Sequence, residues 1–321
     1  KGEASETFSF SESRFQANLF YIQKKFEDAI KQIRLDSNYI LFIDGIDVRP
    51  SGIPYDEYLD CVKGLANAVW EINNDFFPTV KGGKGRCRVV LLIRPDIFES
   101  VGLQNQNAKI RDNSVFLDWK TEYIRHRTSK IFEMANHLLE IQQDDSSVRE
   151  IGDCWDLYFP WNSPNVYDEY DTPTSFINFL RWSYYRPRDI VTLLTLLKNF
   201  TEEKNKSYFS LNEFEAKNFQ RAYSNYLLGE IKDQLSFYYE ESDYEKFIKF
   251  FEFLRGADKF NYDKYLSAFN LTKEHLKSIN KSTPNFMESA NEFLQFLYDL
   301  NVLCYIERTQ DGKPHIHWCF K

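Results

Sequence analysis

Two short apolar runs constrain this chain more than any other feature. Tyr39-Ile40-Leu41-Phe42-Ile43 and Val89-Val90-Leu91-Leu92-Ile93 present apolar side chains to both faces of a strand, the pattern of a parallel sheet covered by helices. Between them Leu59, Val62, Leu65, Ala66 and Val69 recur at helical spacing, which predicts an amphipathic helix from about Asp56 to Asn73. Phe15, Leu19, Ile22, Phe26 and Ile30 predict another helix ahead of the first run. A third run, Val115-Phe116-Leu117, reads as a further strand, and a long helix is expected from about Thr121 to Ile141. Strand alternating with helix predicts the α/β class with a parallel sheet. Such sheets bind ligands at the carboxyl ends of their strands.

Charged residues stand at those ends. The first run leads into Asp44-Gly45-Ile46-Asp47 and the second into Arg94-Pro95-Asp96, where the proline stops the strand and Asp96 can cap a helix beginning near Ile97. An apolar strand followed by Asp-Gly-Ile-Asp resembles the Walker B segment of P-loop NTPases in its STAND, NACHT-like form. The resemblance implies that Asp44 binds Mg2+ through its water shell and that Asp47 orients the attacking water. The residues alone also describe a strand ending in an Asx turn, with both acids in a solvent-facing loop. STAND ATPases end the next strand with an arginine that senses the terminal phosphate, and Arg94 fits that position; its alternative role is a salt bridge to Asp96 or to a loop acid. Tyr185-Arg186-Pro187-Arg188-Asp189 resembles the Pro-Arg sensor in the lid of AAA+ and STAND proteins, which makes Arg188 a candidate nucleotide contact, although proline and aspartate at a helix start are also plain capping. Arg111, with Lys109 in the amide-rich stretch 102–113, is expected at the same sheet edge, where it would touch a phosphate, a neighbouring subunit's nucleotide or a partner. Arg125-His126-Arg127 has the composition of an arginine finger. Both basic segments also read as solvated surface.

One part of the pattern is missing. The phosphate-cradling loop G-x-x-x-x-G-K-[ST] occurs nowhere in the sequence. Gly82-Gly83-Lys84-Gly85 lacks the hydroxyl residue and precedes a strand, whereas a phosphate loop follows a strand and opens a helix. The resemblance therefore covers a partial P-loop NTPase sheet, with the Walker A loop expected upstream in a longer protein. By itself the chain is expected to bind ATP weakly or not at all.

From Gln142 to Thr174 the chain is acidic and loop-rich, and helical periodicity follows to about Leu300. Val302 to Ile306 and His315 to Phe320 flank a turn at Gln310 to Lys313 and predict a β-hairpin. The expected organisation is the second half of an NTPase α/β domain over 1–118, a helical lid over 119–205, and a helical region with a winged-helix-like hairpin over 206–321. A formal charge of −8 and a pI near 5.3 argue against wholesale coating of DNA or an acidic membrane. From Asn270 onward acids match the lysines and arginines, so DNA is not the favoured partner of the hairpin. Five widely spaced cysteines without a C-x-x-C pair indicate a reducing interior. With no apolar run of roughly 18 residues and no signal-peptide order in the first residues, a cytoplasmic protein without a membrane span is expected. His315 and His317 share a strand face but have no carboxylate or cysteine at ligand spacing, so a metal pair is not expected. Aromatic residues make up 17% of the chain and read as helix-core filling rather than as base-stacking platforms.

The resemblance implies a nucleotide-dependent ATPase switch in signalling or bacterial defence, using ATP and Mg2+ and assembling as a homo-oligomer or with a protein partner. The alternative is a non-enzymatic protein- or DNA-binding module on a degenerate NTPase fold. A DNA-binding regulator with an ATPase-like accessory domain is a third expectation.

Overall fold

A computed structural model describes residues 18–50, 52–102, 113–143, 150–166, 170–201, 206–308 and 314–317. The described residues are mostly helical, with a small parallel sheet compatible with the α/β class. The chain divides into two compact units, Lys1–Ser114 and Val115–Lys321.

The first unit begins with helix α1 over 18–31 and strand β1, Tyr39–Ile43. Helix α2, Tyr55–Glu71, ends in a π-helical turn, Ile72–Phe76, before strand β2, Cys87–Leu91, and helix α3, Pro95–Val101. β1 and β2 pair in parallel, Tyr39 opposite Cys87 and Ile43 opposite Leu91. The Leu92 N–H donates to the Ile43 carbonyl at 2.9 Å and carries the ladder one step past both strands. The side chains of Val62, Val89, Ile97 and Val101 form the fully buried part of this unit among the described residues. Asn73 fixes the outer edge of β2. Its amide donates to the Val89 carbonyl at 2.7 Å and its carbonyl accepts the Val89 N–H at 2.9 Å, so one carboxamide stands in for a neighbouring strand.

β1 differs from the sequence expectation. Its apolar faces predicted cover on both sides, yet Tyr39, Ile40, Leu41 and Phe42 are each more than half exposed. The expected third strand also differs. Val115, Phe116 and Leu117 lie in irregular backbone and are 85%, 70% and 71% exposed, because β-propensity forms a strand only where a ladder partner exists.

The second unit is built from helices around two aromatic cores. The expected helix from Thr121 to Ile141 is a 3-10 segment, Tyr123–Thr128, followed by α4, Lys130–Glu140. Extended backbone at Ser129 separates them, and its side chain caps α4 by accepting the Phe132 N–H. Helix α5, Asp153–Tyr158, lies within the stretch expected as loop. Helices α6, Ser175–Trp182, α7, Pro187–Phe200, and α8, Leu211–Phe214, complete the first core with the start of α9, Lys217–Tyr238. Trp155 sits at its centre, with the rings of Phe176 and Phe179 each 4.9 Å away in edge-on contact. The 22-residue α9 then enters the second core, contributing Phe219 and Tyr223 to one and Ile231 and Leu235 to the other.

Helices α10, Glu241–Leu254, α11, Tyr262–Ser278, and α12, Ala290–Asp299, enclose the second core around Phe247, Phe250, Tyr265 and Phe293. Strands β3, Tyr305–Arg308, and β4, Pro314–His317, form an antiparallel hairpin after it. The aromatic content of this unit is thus largely core filling. The expected turn at 310–313 lies outside the described residues. No described helix is long and apolar enough to cross a membrane.

Candidate functional site at the strand ends

The parallel register sets the geometry at the end of the first unit's sheet. β1 and β2 finish opposite each other at Ile43 and Leu91, so the residues that follow emerge from one carboxyl edge. Asp44 is the first past β1 and is exposed; its Oδ1 accepts the N–H of Gly45 at 2.8 Å. Gly45 has φ +79°, a conformation that suits glycine and turns the chain at the strand end. Asp44 therefore turns its carboxylate back onto the adjoining backbone at the strand end.

Asp47 is half-buried in the same loop. Tyr58 of α2 braces that loop, its hydroxyl 3.1 Å from the Ile46 carbonyl and 3.2 Å from the Val48 carbonyl. Partial burial, then the negative charge of Asp47, pushes the Tyr58 hydroxyl above its usual pKa. The phenol is neutral and holds the segment carrying Asp47 by hydrogen bonding.

Arg94 lies beyond the end of β2 and is committed to an ion pair. Its Nε and Nη2 donate to the two carboxylate oxygens of Asp96 at 3.1 and 2.5 Å. This is a bidentate arrangement, the strong geometry for a guanidinium. A phosphate arriving at Arg94 would compete with Asp96, which is 41% exposed. The unit thus brings Asp44, Asp47 and Arg94 to one sheet edge. Among the described residues no group of three His, Cys, Asp or Glu side chains is arranged to hold a metal ion, and Asp44 is the sequence-predicted metal ligand at this edge.

The glycine-rich stretch before β2 has a structural use. A Cβ at Gly83 would lie 2.5 Å from the Leu35 carbonyl oxygen, and one at Gly85 would overlap the Ser37 backbone. The Gly85 N–H donates to the Leu35 carbonyl at 2.8 Å. These glycines permit backbone to meet backbone. Arg111 and Lys109 lie outside the described residues.

The second unit separates the two arginines of the Arg-Pro-Arg-Asp segment. Arg186 grips Asp189 at 3.1 and 2.7 Å and donates a third bond to Glu230 of α9 at 2.7 Å. Asp189 is completely buried and also accepts the Tyr184 N–H and the Tyr226 hydroxyl, each at 2.8 Å. Burial first, then the bond to Asp189, raises the Tyr226 pKa well above its ordinary value. Tyr185 takes a left-handed conformation, φ +57°, in the turn that delivers these groups. Arg188, the sequence candidate, is instead 74% exposed, with its nearest acidic oxygen on Glu230 at 3.6 Å. Sequence reasoning gave Asp189 only a capping role and missed Glu230. Arg186 and Asp189 stand three apart at a helix start, a readable spacing, whereas Glu230 lies 44 residues further on and gives no local signal.

The Arg125-His126-Arg127 segment divides similarly. Arg127 pairs with Asp156 of α5 at 2.5 and 2.8 Å, so it is structural in this unit. Arg125 is exposed, 3.7 Å from Glu122. His126 is fully buried, its Nδ1 donating to the Tyr123 carbonyl at 2.7 Å and its Nε2 meeting no hydrogen-bond partner among the described residues. Burial lowers its pKa and keeps the imidazole neutral.

No protein family, curated protein or solved structure matches this chain.

Proposed function

We propose that the carboxyl edge of β1 and β2 is the Walker B and sensor part of a STAND-type P-loop ATPase that works as a nucleotide-dependent switch. The observation that carries this reading is the parallel register, which brings Asp44 and Asp47 to the same edge as Arg94. In this reading Asp44 accepts from Mg2+-bound water, Asp47 orients the attacking water, and Arg94 exchanges Asp96 for a terminal phosphate oxygen. Arg188, exposed at the first turn of α7, is the second phosphate-sensing candidate. The phosphate-cradling loop has to come from outside these 321 residues, since the sequence contains none.

The test is ATP turnover by the product of the complete reading frame, compared with its Asp44→Ala and Asp47→Ala variants. Loss of a positioned base costs about 10²- to 10⁴-fold in turnover. Unchanged turnover in both variants, or no turnover in a product without a phosphate loop, overturns the enzyme reading.

A non-enzymatic interaction module is the second reading, favoured by the Arg94–Asp96 pair and by the uncovered apolar faces of β1. Protein is a better partner than DNA for the helix preceding the hairpin. The exposed positions of α12 are Asn291, Glu292, Gln295 and Asp299, which offer phosphate no cation.

A further inference from the structure

The loop that leads from β1 to α2 is held on both sides of Asp47 by one side chain. The Tyr58 hydroxyl, on the first turn of α2, donates to the carbonyls of Ile46 and Val48, the residues immediately before and after the acid, at 3.1 and 3.2 Å. A hydroxyl has one proton to donate, so it serves the two carbonyls as a shared, three-centre bond. Burial and the negative charge of Asp47 keep that proton in place. The bond fixes backbone and leaves the carboxylate alone. Asp47 is half-buried, and among the described residues its carboxylate makes no hydrogen bond or ion pair. The other charged groups of this edge are engaged, Asp44 with the Gly45 N–H and Arg94 with Asp96. An acid without a partner, on backbone clamped at both neighbours, has the build of a group held ready for a ligand.

The loop has some shape of its own. The Val48 N–H reaches the Gly45 carbonyl at a long 3.4 Å, and the Arg49 guanidinium donates to the Ile53 carbonyl at 2.6 Å. Tyr58 ties that shape to a helix, because its own N–H already donates to the Pro54 carbonyl at 3.0 Å and the phenol projects from regular backbone. We infer that Tyr58 is the positioning residue for Asp47: its hydroxyl sets where the carboxylate stands when that carboxylate orients the attacking water. The inference rests on the ATPase reading above and gives Tyr58 no contact with nucleotide or water. Removing the hydroxyl alone leaves the ring and Asp47 in place while the loop loses its tie to α2. A catalytic group displaced by about 1 Å loses up to about 100-fold in rate. A lost brace, which loosens the acid without removing it, belongs nearer 10-fold.

ATP hydrolysis by the product of the complete reading frame, measured over a range of ATP concentrations, tests this in wild type, Tyr58→Phe, Asp47→Ala and the double variant. Tyr58→Phe is expected to lower kcat about 10-fold with the KM for ATP unchanged. In the Asp47→Ala background the same substitution is expected to change kcat by less than about 2-fold, because a residue that acts only through Asp47 has nothing left to position. Wild-type kcat in Tyr58→Phe, beside a loss in Asp47→Ala, overturns the positioning role and leaves the enzyme reading standing. An equal loss in both backgrounds also overturns it, since that pattern belongs to general support of the fold. So does a loss confined to KM, which places Tyr58 against the nucleotide. Turnover in Asp47→Ala equal to wild type, or none in wild type, overturns the role of Asp47 and the inference together.

Discussion

Arg186 and Arg188 stand two residues apart in one motif and meet opposite environments. Arg186 neutralises a buried carboxylate, and removing that carboxylate leaves the Tyr184 N–H and the Tyr226 hydroxyl without their acceptor while Arg186 keeps Glu230. Asp189→Ala is expected to cost about 3 kcal/mol, from buried donors left unsatisfied, measured by urea unfolding. Arg188→Ala is expected to change stability by less than about 0.5 kcal/mol, because Arg188 is largely exposed. Equal losses in both variants would contradict the assignment of Arg186 as structural and Arg188 as available. His126 supplies a pH dependence. Its folded pKa lies below the ordinary 6.5 because burial disfavours the imidazolium, with Arg127 adding to that effect and the Tyr123 carbonyl and Asp156 opposing it. The unfolded chain therefore binds the proton more readily. The contribution of His126 to stability is full above pH 6.5 and declines as pH falls below it towards the folded value. Urea midpoints taken roughly one unit above and below that value, at about pH 7.5 and 5.5, should converge between wild type and His126→Gln at the lower pH.

At the scale of elements, Asn73 shows how a side chain decides where a sheet stops. Its carboxamide makes both bonds that a neighbouring strand would make at Val89. Asn73→Ala leaves those backbone groups unpaired beside a buried side chain, at an expected cost of about 1–2 kcal/mol, with faster amide exchange at Val89 as the specific readout. The position was legible only as the end of α2. The strand period of β1 was readable because five consecutive apolar residues leave few alternatives, whereas β2 begins at Cys87, two residues before its apolar run, and ends at Leu91 rather than Ile93. Val115-Phe116-Leu117 shows the limit of that inference, for a short apolar run becomes a strand only when another strand meets it. Ser129 shows a second limit. The hydrophobic pattern runs through it, while the capping bond to Phe132 restarts the helix there.

The whole molecule is two units of unequal completeness. The second contains two ring-packed cores joined by α9, whereas the fully buried apolar side chains described in the first are four aliphatic ones. A polypeptide of residues 115–321 is therefore expected to keep its helical far-UV signal and to melt cooperatively. A non-cooperative melt of that polypeptide would show that the second unit depends on the first.

By itself the sequence determined the paired strands, most helices, and the charged residues that leave the strand ends, because apolar periodicity and proline punctuation act over a few neighbouring residues. It also excluded a phosphate loop within these residues. Only tertiary structure decided that Arg94 grips Asp96, that Arg186 rather than Arg188 is built into the fold, that Gly83 and Gly85 serve a backbone contact, and that β1 pairs with β2 alone among the described residues. Those outcomes depend on groups far apart in the chain meeting at hydrogen-bond distance, a condition that no local pattern encodes.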